Sequence, residues 1–160
     1  KLVLTGPPDP HDAESMAYFD ELRALRKDLG VEEEMRFIFE SGQDREQALT
    51  IDMEVVADLY RVCDVVFMPS HQEGFGMPVL EAGLTGVPIV STHVPAAVEI
   101  GGEDVTFINA EDDPGQVAER IINEIQVRPV QRFRRRVRQR YTWPAIFRED
   151  IEPLLVDPQS

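Results

Sequence analysis

Short, wholly apolar runs alternate along the chain with stretches in which apolar residues recur every three or four positions. Residues 2–5, Leu-Val-Leu-Thr, form an apolar β run that ends at the breaker Gly6-Pro7-Pro8. Met16, Phe19, Leu22, Leu25 and Leu29 then fall at helical spacing, with Gly30 as the stop. Met35-Arg36-Phe37-Ile38-Phe39 reads as a second strand, and Asp52 as the N-cap of a helix carrying Val55, Val56, Leu59, Tyr60 and Cys63. Val65-Val66-Phe67-Met68 is a third strand, closed by Pro69-Ser70. Pro78 suits the first turn of a helix, where its missing N–H would be unpaired anyway. That helix holds Val79, Leu80 and Ala82 and stops near Gly86. Ile89-Val90-Ser91 and Val105-Thr106-Phe107-Ile108 are further strands. Asp113-Pro114 opens a helix with Val117, Ala118, Ile121, Ile122 and Ile125 on one face, and two more helical stretches are expected near 129–140 and 144–156.

Continuous apolar strands separated by amphipathic helices imply a parallel sheet covered on both faces. The expected fold is therefore α/β, a Rossmann-like doubly wound sheet without internal repeats. A chain of 160 residues fits one compact domain with a tail better than two domains. The body is expected over 1–141 and a helical C-terminal tail over 142–160. Because the chain opens inside a strand, it reads as a piece of a larger protein. The longest apolar stretches reach about five residues, against the roughly 20 that a membrane-spanning helix needs. The run at 1–5 is too short for a secretory leader. Cys63 stands alone, so an internal disulfide or a thiol metal cluster is excluded, and a cytoplasmic setting is expected.

Charge sharpens the picture. The 16 basic and 30 acidic residues give a net charge of −14, and seven of the arginines lie between Arg128 and Arg140. The rest of the chain is strongly acidic and should repel a nucleic-acid backbone or an anionic membrane. The basic amphipathic stretch around Arg132, Arg134, Arg135, Arg136, Arg138 and Arg140 reads as a solvated face pairing with the domain's own acids. A membrane partner is not indicated. An anionic ligand needs a local source of positive potential. The three histidines show no metal-binding spacing, and Asp113 before Pro114 reads as an N-cap, so no metal is expected.

In doubly wound sheets ligands sit outside the carboxyl ends of the strands, which selects the loops at 6–12, 40–50, 69–77 and 92–98. Only one stands out in composition: Pro-Ser-His-Gln-Glu-Gly-Phe-Gly-Met-Pro, residues 69–78. Gly74 and Gly76 let a backbone approach a ligand closely, and free N–H groups at a helix start favour anions without any basic side chain. Glu73 lies in the loop and Glu81 is expected in the first turn of the helix. Two carboxylates beside a bound diphosphate repel it unless they accept hydrogen bonds from hydroxyls, as vicinal diols of ribose and hexose rings provide. The loop reads as built for a nucleotide sugar.

Glu73-Gly-Phe-Gly-Met-Pro-Val-Leu-Glu81 resembles the motif of two glutamates, seven residues between them, of retaining GT-B glycosyltransferases, family 4 or "group 1". Ala82-Gly-Leu-Thr-Gly-Val-Pro-Ile-Val90 and Pro95-Ala-Ala-Val-Glu-Ile100 are similar to the segments that follow in that family. The resemblance covers nearly the whole chain as the C-terminal, donor-binding domain, lacking its first strand. It implies that Glu73 approaches donor-sugar hydroxyls at the reacting face, as a stabiliser rather than a covalent nucleophile. Phe75, Gly76 and Met77 would offer backbone N–H groups to the sugar. Gly76, Met77 and Val79 would lie near the diphosphate, and Glu81 would bind the ribose. The base would rest near Phe39, Glu40 and Ser41, although the 40–51 loop departs in length from the family's usual one. The donor would be a UDP-, GDP- or ADP-sugar, used with no bound metal or cofactor and with retention. The acceptor would be a sugar, lipid or glycan.

The family's arginine- and lysine-bearing loop and its acceptor-binding N-terminal domain are not within these residues, so the piece alone is expected to be inactive. Two other readings compete. A disaccharide synthase or phosphorylase keeps the fold and changes the co-substrate, for which the unusual Gly6–His11 loop speaks. A non-catalytic nucleotide-sugar-binding module is the third, and the intact glutamate pair speaks against it.

Overall fold

A computed structural model describes residues 1–6, 8, 9, 11–41, 51–128 and 142–156. They form two compact units, Lys1–Val56 and Ala57–Ser160. The expected helix at 129–140 with its arginines, the 42–50 stretch, Pro7, Pro10 and the last four residues lie outside the described residues. So does position 141, where the body was expected to end.

The first unit is a βαβ arrangement. β1 (Leu2–Leu4) pairs in parallel with β2 (Met35–Phe37) in the register Leu2↔Met35, Val3↔Arg36, Leu4↔Phe37. Helix α1 (Ala13–Asp28) joins them, its start capped by the Asp12 carboxylate, which accepts from the Glu14 N–H. Gly30, at φ 65°, follows the end of the helix in the left-handed region that favours glycine. The helix is tied to β2 by Phe19, whose ring meets the buried Phe37 edge-on at 5.0 Å. Arg26 lies over the same ring at 4.6 Å and pairs with Glu40, which Arg23 also reaches.

β2 is shorter than expected. Residues 38 and 39 do not extend it; Ile38–Ser41 turn into a 3-10 helix. The apolar pattern continues past Phe37, but β1 ends at Leu4, so no partner backbone remains for those residues. An unpaired extension would leave backbone groups without acceptors or donors, and the tight turn satisfies some of them locally.

In the second unit three parallel strands run in the order β3 (Val66–Met68), β4 (Ile89–Thr92), β5 (Val105–Ile108). Helix α2 (Met53–Val62), which spans the boundary between the units, precedes β3; the Asp52 carbonyl accepts its first bond, from Val56 N–H. Helices α3 (Met77–Thr85) and α4 (Pro95–Gly101) connect the strands, and α5 (Pro114–Val127) follows β5. All four residues of the central strand β4 are buried, as a strand covered on both faces requires. Met68, Val79, Ala82, Ile89, Val94, Ala97 and Val105 form the core, with Tyr60, Val66 and Phe107 packed against it. Asp113 caps α5 as expected, its carboxylate accepting from the N–H groups of Gly115 and Gln116. Thr106 on β5 donates its hydroxyl to Glu124 on α5 at 2.6 Å, and Arg120 donates to the Phe107 carbonyl.

The expected helix at 144–156 is present, from Trp143 to Val156, with a π-helical turn at Phe147–Ile151 between two short α-helical segments. Among the described residues no helix is long and apolar enough to cross a membrane.

Candidate functional site

The carboxyl ends of β3, β4 and β5 carry the loops from which a site can be built. The strand β3 ends at Met68, the chain runs through Pro69–Phe75, and α3 begins after Gly76. Gly76 is the N-cap at φ 77°, ψ 30°, in the left-handed region that side chains with a Cβ avoid. Its carbonyl accepts from Val79 N–H at 2.9 Å and from Leu80 N–H at 3.3 Å. Pro78 has no N–H, so at the start of α3 the Met77 amide and those of the loop before it remain to face an anion. Val79 enters the site differently from the expectation: its amide is already bonded to Gly76 and its side chain is 3% exposed in the core.

The two loop glycines have separate duties. A Cβ on Gly76 would lie 2.8 Å from Ala96 Cβ and 3.1 Å from Ile100 Cδ1, so the missing side chain is what lets α4 pack there. A Cβ on Gly74 would meet nothing within 4 Å. The open approach for a ligand is thus at Gly74, whereas Gly76 is buried. Phe75 is 74% exposed and Met77 48% exposed.

Glu73 and Glu81 are both partly buried. Glu81 lies in the second turn of α3 rather than the first, because the helix begins at Met77. Its carboxylate lies near enough to Tyr60 on α2 to act on the Tyr60 phenol. Burial, followed by the neighbouring Glu81 carboxylate, pushes the Tyr60 phenol well above its ordinary value, so it stays neutral at any physiological pH. Sequence reasoning placed Tyr60 only on the apolar face of its helix. A tyrosine at the last turn of a helix carries no signal that a carboxylate of another element lies near it.

Beside these residues a hollow of about 200 Å³ opens at the ends of the three strands, lined by Ser70, His71, Thr92, His93, Asn109 and Glu111 among others. The Thr92 hydroxyl donates to the Ser70 carbonyl and ties the β3 and β4 ends together. His93 stacks on Phe107, ring centroids 4.6 Å apart. The Asn109 backbone N–H, then its side-chain amide, hold the Asp112 carboxyl below its ordinary value. A broader open hollow of about 690 Å³ is lined by residues of α5 alone and lacks convergent loops. Thr92, His93 and Asn109 were not singled out by the sequence, although 92–98 was among the candidate loops. Phe39, Glu40 and Ser41 form the 3-10 turn of the first unit, with Glu40 committed to Arg23 and Arg26. Among the described residues no three His, Cys, Asp or Glu side chains are grouped to hold a metal ion.

The chain belongs to the glycosyl transferases group 1 family, whose model matches residues 1–126. It is 35% identical over 149 residues to a D-inositol 3-phosphate glycosyltransferase of Saccharomonospora viridis, covering 89% of this chain and 31% of that protein. It is 44% identical over 61 residues to the lipopolysaccharide core biosynthesis mannosyltransferase LpsB of Rhizobium meliloti, 36% of this chain and 17% of that one. The chain therefore spans about a third or less of the length of these relatives.

Two solved structures share the fold. The C-terminal domain of a glycosyl transferase group 1 family protein from Francisella tularensis superimposes with a TM-score of 0.55 at 20% identity, over 76% of this chain and 58% of that one. Sucrose-phosphate synthase from Thermosynechococcus elongatus gives 0.60 at 21% identity, over 99% of this chain and 39% of that one. The fold is that of a GT-B glycosyltransferase C-terminal domain.

Proposed function

We propose that this chain is the donor-nucleotide half of a retaining glycosyltransferase. The enzyme would move a hexosyl group from a UDP-, GDP- or ADP-sugar to a sugar, lipid or glycan acceptor, without a metal, in the cytoplasm. The observation that carries the reading is the loop from Glu73 to Glu81. One glutamate stands before the open backbone at Gly74, the other stands in α3, and the Met77 amide lies between them at the helix start. A sugar diphosphate offers matching chemistry: hydroxyls for the carboxylates and an anion for the N–H groups.

In this reading Glu81 accepts from the ribose hydroxyls, and Phe75, Gly76 and Met77 present amides to the sugar and diphosphate. Glu73 faces the sugar hydroxyls and the positive charge that develops at the anomeric carbon. The bond from that carbon to the phosphate oxygen breaks while a bond to the acceptor oxygen forms on the same face. The acceptor proton passes to the leaving phosphate. The acceptor's site belongs to a further, N-terminal domain of the complete protein. The relatives' names speak of D-inositol 3-phosphate and of lipopolysaccharide core biosynthesis for those proteins.

The test has two arms. Ligand-observed NMR of the chain with UDP-, GDP- and ADP-sugars should show binding of one base class, weakened about tenfold or more in Glu81→Ala, as expected when a charge-assisted hydrogen bond is lost. In the complete protein, Glu73→Ala should lower turnover at least about 10²-fold, the usual scale for one lost transition-state contact. Near-normal turnover in that variant would remove Glu73 from the mechanism.

A further inference from the structure

The three parallel strands of the second unit end at a hollow that the loop proposed for the donor does not use. It is lined by Ser70, His71, Thr92, His93, Asn109 and Glu111, and no residue from Glu73 to Glu81 lines it. Its volume of about 200 Å³ equals roughly six or seven waters at about 30 Å³ each, room for one small ring but not for a nucleotide. Val94 and Ile108, each 3% exposed, give it an apolar wall.

The polar groups around it divide into committed and open ones. Thr92 is committed, its hydroxyl donated to the Ser70 carbonyl. A carboxylate only accepts, so the Asn109 group that faces Asp112 at 3.1 Å is the amide Nδ2. That bond, together with the Asn109 backbone N–H bonded to the other Asp112 oxygen, fixes the Asn109 side chain and leaves its Oδ1 to accept. His93 is held on Phe107, the two rings 20° from parallel, with its nitrogens at the ring edge. His71 and Glu111 are exposed and make no hydrogen bond or ion pair with any described residue.

The open groups select a ligand. The Glu111 carboxylate and Asn109 Oδ1 can only accept, so they need donors, whereas an imidazole can do either. No lysine or arginine lines the hollow, so a phosphate there would meet a carboxylate with no permanent positive charge to offset it. A sugar ring matches both parts of the lining, with hydroxyls at its edge for the polar groups and C–H bonds on its face for Val94 and Ile108. We propose that this hollow is a working binding site for one uncharged sugar ring, separate from the nucleotide-sugar loop. Ser70 and His71 lie on the segment that runs on to Glu73, so a ring held here shares a loop with the glutamate proposed to face the reaction. Its source is a glycan acceptor or a free sugar that regulates the enzyme, two origins with one chemistry.

The experiment follows the histidine ring signals of the complete protein by NMR. Those of His71 and His93 are assigned by their loss in His71→Gln and His93→Gln. Glucose, mannose and galactose are added in turn, with inorganic phosphate as the anionic probe. At least one sugar should shift both signals saturably, and phosphate should shift neither. Glu111→Ala should raise the midpoint of the sugar titration about tenfold or more, the scale of a lost charge-assisted hydrogen bond. His71→Ala, read from the His93 signal, is a second variant and should raise it severalfold. Glu81→Ala should leave the midpoint unchanged, so this site and the donor reading stand or fall separately.

No shift with any of the three sugars, shifts with phosphate alone, or an unmoved midpoint in both variants would overturn the proposal. Turnover separates the two sources. A raised acceptor KM with an unchanged donor KM in Glu111→Ala marks a glycan acceptor. An unchanged acceptor KM, with loss of the parent's response to added sugar, marks a free sugar. Neither change would reduce the hollow to an adventitious site and overturn the proposal.

Discussion

At Gly76 two constraints meet on one residue. Its backbone is left-handed, and the volume a side chain would fill is taken by Ala96 and Ile100. For Gly76→Ala the backbone term is about 1–2 kcal/mol and the forced contact about 1–3 kcal/mol. Chemical denaturation should therefore show a stability loss of roughly 2–5 kcal/mol when the two terms add. Gly74→Ala, in open space, should stay within about 0.5 kcal/mol, and its effect should appear in donor affinity instead. Equal stability losses in the two variants would contradict the division of labour between them. The sequence shows both glycines but not what approaches each. A ligand and a neighbouring helix make the same demand on composition, and only the position of α4 tells them apart. The same limit explains Tyr60. The spacing of Glu73 and Glu81 along one segment is itself a sequence signal, whereas the proximity of Tyr60 on α2 to Glu81 on α3 relates side chains that local pattern cannot connect.

Elements were legible wherever the pattern and the punctuation agreed. Pro78 and Gly86 bracket α3, Asp113 and Pro114 open α5, and the runs read at 89–91 and 105–108 fall in strands. The expectation failed at Ile38 and Phe39, where an apolar run outlasted its pairing partner, since strand length depends on the neighbour as much as on the residues themselves. Asp113 provides the test at this scale. Its carboxylate accepts from two N–H groups at the start of α5, and α5 in turn is fastened to β5 through Thr106–Glu124. Asp113→Ala should cost about 1 kcal/mol, within the 0.5–2 kcal/mol range for a lost N-cap, read as a lower denaturation midpoint with unchanged donor affinity. Asp113→Asn should recover most of that loss, because an amide oxygen also caps. A loss of donor affinity in Asp113→Ala would show instead that the β5–α5 corner belongs to the binding surface.

At the scale of the whole molecule, a net charge of −14 would have to coexist with the anionic donor proposed above. Two kinds of site solve that problem, and they respond oppositely to salt. A cluster of basic side chains attracts a diphosphate through charges that salt screens, so affinity falls steeply as ionic strength rises. A site made of loop amides and a helix start acts at contact distance and is screened much less, while the long-range repulsion from the acidic body is screened strongly. Under the proposed reading the chain takes the second route around α3, since neither the first nor the last turn of that helix carries a basic residue. Binding of a nucleoside diphosphate to this chain should then hold level or strengthen between about 20 and 150 mM salt, a range in which the Debye length falls from roughly 20 to 8 Å. The association rate should rise over the same range as repulsion is screened. A several-fold weakening would mean that arginines do the attracting, and the dense arginine stretch between Arg128 and Arg140 would be the first place to look. Replacing those arginines with glutamine would then flatten the salt dependence, whereas under the amide reading it would leave the slope unchanged.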